Sequence, residues 1–295
     1  MASLKEIRNR ITSVKSTRQI TSAMKMVSAA KLRKAQDNII QMRPFAEKLT
    51  HILYDISDNL SLIEDNPFVK TRELNRIAII VVTSNKGLCG AFNANVIKRT
   101  MQLIEDQYSK LNITKQLDII TIGKKGSEFF RSRGFNVVES HDELFDNLNY
   151  EETVPFIKHL AEKYISGYYD KIEYVFNRFK NAALQELRVD QLIPLKPHPS
   201  EERPGQNNSF HYIYEPSEKD IMNELVPKVI RINLYSALLD SYASEHGARM
   251  TAMHKATDNA SELIKDLTLL YNKARQASIT TEILEIVGGA EALKG

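Results

Sequence analysis

Residues 235–277, YSALLDSYASEHGARMTAMHKATDNASELIKDLTLLYNKARQA, carry the reading on which the fold turns. Taken in alternating steps of three and four, one line of positions runs Tyr235, Leu238, Tyr242, His246, Arg249, Met253, Ala256, Ala260, Leu263, Leu267, Leu270, Ala274 and Ala277. That alternation is the heptad seam of a coiled coil. Gly247 is the sole glycine between Pro227 and Val287, and no proline follows Pro227, whose missing N–H is tolerated in the first turn of a helix. A continuous helix over Pro227–Val287 would be about 90 Å long, wider than a single domain. It must project, and its apolar stripe needs a partner.

The other end of the chain supplies one. Residues 3–58 read as a second long helix, opened by a capping box of Ser3 and Glu6. Leu4, Ile7, Ile11 and Val14 follow at heptad spacing, after which the stripe drifts to Ile20, Met24 and Val27. Small residues crowd the same region at Ser22, Ala23, Ser28, Ala29 and Ala30, where a partner helix can approach closely. Pro44 is expected to kink this helix rather than end it. Two long helices at opposite ends of a chain suit one another as antiparallel partners, and whatever lies between them must then fold as an insertion. The expected organisation is a coiled-coil helix over 1–60, an α/β domain over 70–215 and a second coiled-coil helix over 218–295.

The middle of the chain changes period. Arg76–Ser84 is a short apolar run of the kind that forms a buried parallel strand. A helix over 91–110, a strand over Leu117–Ile122, a short helix over Gly123–Arg133, a strand over Phe135–Val138 and a helix over Thr153–Ile165 follow. Two alternating runs, Lys171–Phe179 and Leu184–Leu195, then form an antiparallel pair turning at Asn181. This order predicts an open, Rossmann-like α/β sheet with helices on its faces. Residues 196–217, with Pro197, Pro199, Pro204, Gly205 and Pro216 among polar residues, read as a surface linker.

Charge is unevenly distributed. The net charge is +3, but residues 1–36 hold nine basic side chains against the single acid Glu6, so this end carries +8 and the remainder −5. A basic terminus seeks a negative partner: nucleic acid, a lipid surface or an acidic protein. The lone Cys89 excludes an intramolecular disulfide and suits a reducing compartment. No apolar run is long enough to span a bilayer, and the N-terminus has no signal-peptide core.

Chemistry-bearing patterns are few. Thr83–Gly90 (TSNKGLCG) is a glycine-bearing turn after the first strand, where a nucleotide-binding fold would hold phosphate. Its spacing fits neither G-x-G-x-x-G nor the P-loop, and Gly123-Lys-Lys-Gly126 fails in the same way. Nothing in the spacing places His51 or His141 beside Cys89 as a catalytic base, and the seven histidines lack a zinc-binding pattern. No catalytic residue, metal site or cofactor is expected. Glu282 and Glu285 lie three apart on the last helix, as an acid/base pair or as ordinary exposed carboxylates. His246 and Arg249 fall on the seam itself; Arg249 either packs its stem while its head reaches water or makes a polar contact to another protein.

Four stretches resemble the gamma subunit of F-type ATP synthases: Ile7–Lys31 (IRNRITSVKSTRQITSAMKMVSAAK), Thr83–Asn93 (TSNKGLCGAFN), and the C-terminal segments Ser244–Ala260 and Tyr271–Ala290. The resemblance implies a central rotor shaft without bond chemistry of its own. Its paired helices would stand inside an alpha3beta3 hexamer, with the α/β domain, beside the epsilon subunit, resting on the membrane c-ring at the cytoplasmic face of a bacterial plasma membrane. It implies partner contacts at Met24, Lys25, Met26, Arg249, Thr281, Glu282 and Glu285, with Thr281 standing where the family often has Gln. The cysteine pair of chloroplast-type members is missing, so their redox switch is expected to be absent. A basic coiled-coil protein binding nucleic acid or a membrane surface is the alternative, although it leaves the α/β insertion and the C-terminal motif unexplained.

Overall fold

The computed structural model describes residues 4–57, 66–70, 72–146, 148–195, 215 and 217–292. The expected Ser3 cap and nearly all of the 196–217 linker lie outside the described residues. The elements in order are α1 (Leu4–Ser57), β1 (Ile77–Val82), α2 (Phe92–Gln107), α3 (Ser109–Ile113), β2 (Leu117–Ile122), α4 (Lys124–Ser132), β3 (Val137–Ser140), a 3-10 turn (Glu143–Phe145), α5 (Tyr150–Ile165), β4 (Lys171–Phe179), β5 (Gln185–Ile193) and α6 (Glu218–Ala292). The chain divides into two compact units, one of Met1–Ser28 with Arg249–Gly295 and one of Ala29–Ala248.

The larger unit contains a five-stranded sheet of order β3-β2-β1-β4-β5. β1 is parallel to β2 and β4, and β2 to β3, while β5 runs antiparallel to β4 at the edge. β1 (IAIIVV) and β2 (LDIITI) are buried along their whole length, so both faces of the sheet must be covered. Alternate residues serve the two faces. Ala78, Ile80, Val82, Ile120 and Ile122 join a core with Leu49 and Leu53 of α1, Phe156 and Leu160 of α5, and Val226, Ile230 and Leu234 of α6. Ile77, Ile79, Val81 and Ile119 join a second core with Val96, Leu103 and Ile104 of α2 and Phe130 of α4. The long terminal helices are thus part of one wall of the sheet.

Several boundaries depart from the sequence reading, each for a local reason. The helix expected over 91–110 breaks at Tyr108, whose ring is buried and whose hydroxyl donates to Glu173 Oε2 at 2.9 Å. Phe135 precedes the third strand; its ring stands edge-on to Phe130, with centroids 5.4 Å apart. α5 starts three residues earlier than expected because Asn149 caps it, accepting the Glu152 N–H at 2.8 Å. Pro227 lies inside α6 rather than in its first turn, because the helix begins at Glu218. Ser217 precedes it and accepts the Asp220 N–H at 3.2 Å. α1 continues through Pro44 to Ser57.

In the smaller unit, α1 and α6 pair antiparallel. Thr257 Oγ1 donates to Thr21 Oγ1 at 2.8 Å, and Lys25 Nζ lies 3.3 Å from His254 Nδ1, so four steps up α1 match three steps down α6. The seam is half that expected from sequence. Met253, Ala260 and Leu267 are buried as expected, but Leu263 and Leu270 are 39% and 50% exposed. Thr257, Ile264 and Tyr271, one residue further along, turn inward instead. The seam therefore steps four then three, where the sequence spacing predicts three then four.

On α1 the drift to Ile20 and Val27 does not occur. Both are exposed, while the heptad line continues through Thr21, Ser28, Leu32 and Ala35. Thr21 and Ser28 direct their hydroxyls to the carbonyls of Arg18 (3.1 Å) and Met24 (2.8 Å), which lets these small polar side chains sit on the seam without an unpaired donor.

Candidate functional site: the helical pair and the turn after β1

The turn after β1 is filled by its own side chains. In a nucleotide-binding fold, the first N–H groups of a helix such as α4 would meet a phosphate. Here Lys124 N donates to Asn85 Oδ1 (3.1 Å), Lys125 N to the Ser84 carbonyl (3.1 Å) and Gly126 N to Thr83 Oγ1 (2.9 Å). Asn85 is held in turn by donating to the Asp142 carbonyl at 2.7 Å. Ser84 and Asn93 exchange hydrogen bonds, and Asn93 Nδ2 also reaches Cys89 Sγ at 3.3 Å. Cys89 is buried in this network, with neither His51 nor His141 among its hydrogen-bond partners. Of the glycines in the two turns, Gly87 and Gly90 have open space beside them, whereas Gly123 and Gly126 are packing positions. Gly123 has φ +99°, and a Cβ there would lie 2.1 Å from the Thr83 carbonyl oxygen; one on Gly126 would lie 2.9 Å from Thr83 Oγ1. The motif locks β1 to α4.

The second sequence-named set lies on the long helices. Met24 and Lys25 are half-buried, Met26 is 65% exposed, and Thr281, Glu282 and Glu285 are exposed on α6. Met26 lines an open groove of about 420 Å³ between the helices, with Arg18, Gln19, Ser22 and Ala23 of α1 and Thr257 and Ser261 of α6. Thr281 donates to the Ala277 carbonyl at 3.0 Å, and Ser278 to Glu282 Oε1 at 3.3 Å. Arg249 and His246 are buried, at 7% and 5% exposure, so the arginine head does not reach bulk water as a packed stem with a solvated tip would.

Beyond Ser278 every residue of α6 whose side chain is described is exposed, including Ile279, Ile283, Leu284, Ile286 and Val287. The antiparallel register explains this: it brings Leu4 opposite the turn that holds Ala274. This end of the helix thus leaves five large apolar side chains in solvent.

A further cluster escaped the sequence reading. The Glu139 carboxylate, at the end of the sheet, accepts from Lys163 Nζ (2.7 Å) and His141 Nε2 (3.1 Å), with His159 Nε2 at 3.3 Å. Partial burial pushes its pKa up, but the bonds from Lys163 and His141, with the charges of Lys163 and His159, outweigh burial and hold it below the usual 4.5. A depressed carboxylate stabilises the fold above its unfolded pKa, and that stability is lost as pH falls through the lower folded value. Glu139→Gln should therefore lower the melting temperature at neutral pH, with the gap to the unsubstituted chain closing below pH 4.5. Thermal melts followed by circular dichroism at neutral and acid pH check this; an equal gap at both would contradict it.

A sheet domain joined to paired terminal helices is the architecture of one known class. The family model described as ATP synthase matches residues 3–293, so the chain belongs to that family. Its relatives narrow the assignment to the gamma chain: the ATP synthase gamma chains of Flavobacterium johnsoniae and Flavobacterium psychrophilum are 54% and 52% identical over 295 residues, covering all of this chain and all of theirs. The gamma chain of Geotalea uraniireducens is 44% identical over 295 residues, again with complete coverage of both. The fold also matches the rotor of the Euglena gracilis mitochondrial ATP synthase in rotational state 1, with a TM-score of 0.66 and 20% identity over 94% of this chain and 98% of that one.

Proposed function

We infer that this chain is the central rotor shaft of an F-type ATP synthase, coupling ion-driven rotation to the cycling of nucleotide sites on other subunits. The observation that carries the reading is identity of about one half to ATP synthase gamma chains across the whole of both chains. The structure supplies what a shaft needs: a long helical pair, a sheet domain fastened to it, and an unpartnered apolar helix end. The function needs no bond chemistry in this subunit. Catalysis belongs to the beta subunits of an alpha3beta3 hexamer, with the apolar end of α6 seated inside that ring. The sheet domain, with the epsilon subunit, meets the c-ring at the cytoplasmic face of the membrane. This attachment is peripheral in our reading, and no helix among the described residues is long and apolar enough to cross a membrane.

Met24, Lys25, Met26, Arg249, Thr281, Glu282 and Glu285 are the proposed contacts to the surrounding subunits. The groove beside Met26 and the exposed faces of Thr281, Glu282 and Glu285 support this; the burial of Arg249 makes it a support for the surface more than a part of it. Met24→Lys adds a cation next to Lys25 in an already basic stretch and should strengthen attraction to acidic loops of the beta subunits. The expected result is a several-fold lower ratio of ion transport to ATP hydrolysis, with the melting temperature of the isolated chain nearly unchanged. A normal ratio would contradict the contact. The function as a whole is tested by co-assembly: the chain mixed with alpha and beta subunits should enter a complex with ATPase activity at one copy per hexamer. Failure to enter it would overturn the shaft reading.

A further inference from the structure

Within residues 29–248, the sheet and the two long helices meet at a polar joint separate from the apolar core beneath them. Arg43 of α1 donates through Nη2 to the Phe179 carbonyl at the end of β4 (2.9 Å) and to Asp240 Oδ1 of α6 (2.7 Å). One turn further along α6, Ser244 Oγ donates to the Asn177 carbonyl at 3.1 Å. At the next turn, Gly247 brings the helix backbone against the β4–β5 hairpin: a Cβ there would lie 3.2 Å from Ala182 Cα and 3.4 Å from its carbonyl oxygen. The hairpin tip is itself fixed. Asn181 Oδ1 accepts the N–H groups of Ala183 (2.9 Å) and Leu184 (2.7 Å), and Asn181 N donates to the Leu184 carbonyl (3.1 Å).

Away from this joint, the helices and the sheet share a large apolar core. Burial of apolar surface is non-directional: it resists separation, but it sets the angle of a helix about its own axis only weakly. Hydrogen bonds and ion pairs are directional. A helical pair that must turn with its sheet domain therefore needs such contacts where the two meet, and Arg43 of α1 bonds both α6 and the sheet. We propose that Arg43, with Asp240, Ser244 and the Asn177–Ala182 hairpin, forms the joint that transmits torque between the sheet domain and the shaft. Arg43 is its positioning residue: it acts by holding α6 and β4 in register. Gly247 lets the helix and the hairpin approach this closely; a Cβ there would make the hairpin give by a few tenths of an ångström.

This proposal rests on the shaft reading, and one experiment separates the two. The complete complex is assembled with the unsubstituted chain and with Arg43→Ala, Arg43→Lys and Ser244→Ala. ATP hydrolysis, ATP-driven ion transport and the angular fluctuation of a probe on the sheet domain of the stalled enzyme are then measured. Arg43→Ala should keep hydrolysis within about twofold, at least double the angular variance of the probe, and lower the transport-to-hydrolysis ratio by about threefold or more. Arg43→Lys, with a single ammonium in place of the fork, should recover part of both losses, and Ser244→Ala should show the same direction more weakly. Should Arg43→Ala fail to assemble, the other two variants carry the same comparison. Normal variance and a normal ratio in the variants, with the unsubstituted complex coupled, would overturn the joint and leave the shaft standing. An unsubstituted chain that neither assembles nor couples would overturn the shaft instead.

Discussion

Asp118→Ala is expected to destabilise the sheet domain by about 2–3 kcal/mol, because it removes a fully buried acceptor and leaves the buried Tyr169 hydroxyl without its partner. The Asp118 side chain is fully buried near the start of β2 and accepts from four donors. Arg76 Nη2 and Nε lie 2.9 and 3.1 Å from Oδ2, Asn136 Nδ2 lies 2.6 Å from Oδ1, and the Tyr169 hydroxyl lies 3.1 Å from Oδ2. Those donors come from the segments leading into β1, β3 and β4, so one carboxylate gathers the starts of four neighbouring strands. Burial, and then the charge of Asp118, push the Tyr169 phenol far above its usual pKa, which keeps it a donor throughout the accessible pH range. The Arg76 guanidinium also lies over the Tyr168 ring, 4.2 Å from its centroid, so losing Asp118 would leave it with a stacking partner and no counter-charge. Urea unfolding followed by circular dichroism should show the midpoint shift. A loss below about 1 kcal/mol, the level of an exposed pair, would contradict the account of this network.

Gly123→Ala should also be severe, for a different reason. The residue sits at φ +99°, outside the conformations open to alanine, and the added Cβ would fall 2.1 Å from the Thr83 carbonyl oxygen, a backbone atom that cannot rotate away. Thr83 must shift, and with it the bonds that its hydroxyl makes to Gly123 and Gly126. Clash and strain together place the cost at roughly 3–5 kcal/mol. Gly134→Ala is the control: φ there is +80°, but a Cβ would meet nothing within 4 Å, so only the conformational cost of about 1–2 kcal/mol applies. Equal losses at the two sites, read from thermal or urea melts, would show that the packing of the turn on α4 contributes nothing.

Much of the fold was legible in the sequence because it rests on periodicity. The switch from heptads to short apolar runs located the sheet domain, and the antiparallel turn at Asn181 followed from alternation and a turn residue. The seam was legible only in part. Met253, Ala260 and Leu267 are common to both readings of the heptad, but the choice between Leu263 and Ile264, or Leu270 and Tyr271, depends on which side of α6 faces α1, and two adjacent apolar residues do not declare that. On α1 the search for apolar residues led to Ile20 and Val27, whereas the helices meet through Thr21 and Ser28, whose hydroxyls are satisfied within the helix.

The Thr83–Gly90 turn was located by its glycines. Its role emerges from hydrogen bonds to α4, about forty residues later in the chain, which no local spacing encodes. The joint at Arg43 was invisible for the same reason, because its partners Phe179 and Asp240 are distant in sequence. The proposed contacts on the long helices rest on family resemblance; Met26 lines a groove and Thr281, Glu282 and Glu285 lie on the exposed end of α6, whereas Arg249 is buried.

The central claim is that this chain turns. Ile113, 81% exposed in the sheet domain, offers a site for a rotation probe: Ile113→Cys with Cys89→Ser gives a single reactive thiol for a bead. In surface-fixed complexes with alpha and beta subunits supplied with ATP, the bead should rotate in one direction, pausing at three positions per turn as a threefold ring requires. Sustained ATP hydrolysis with a bead that does not rotate would contradict the account.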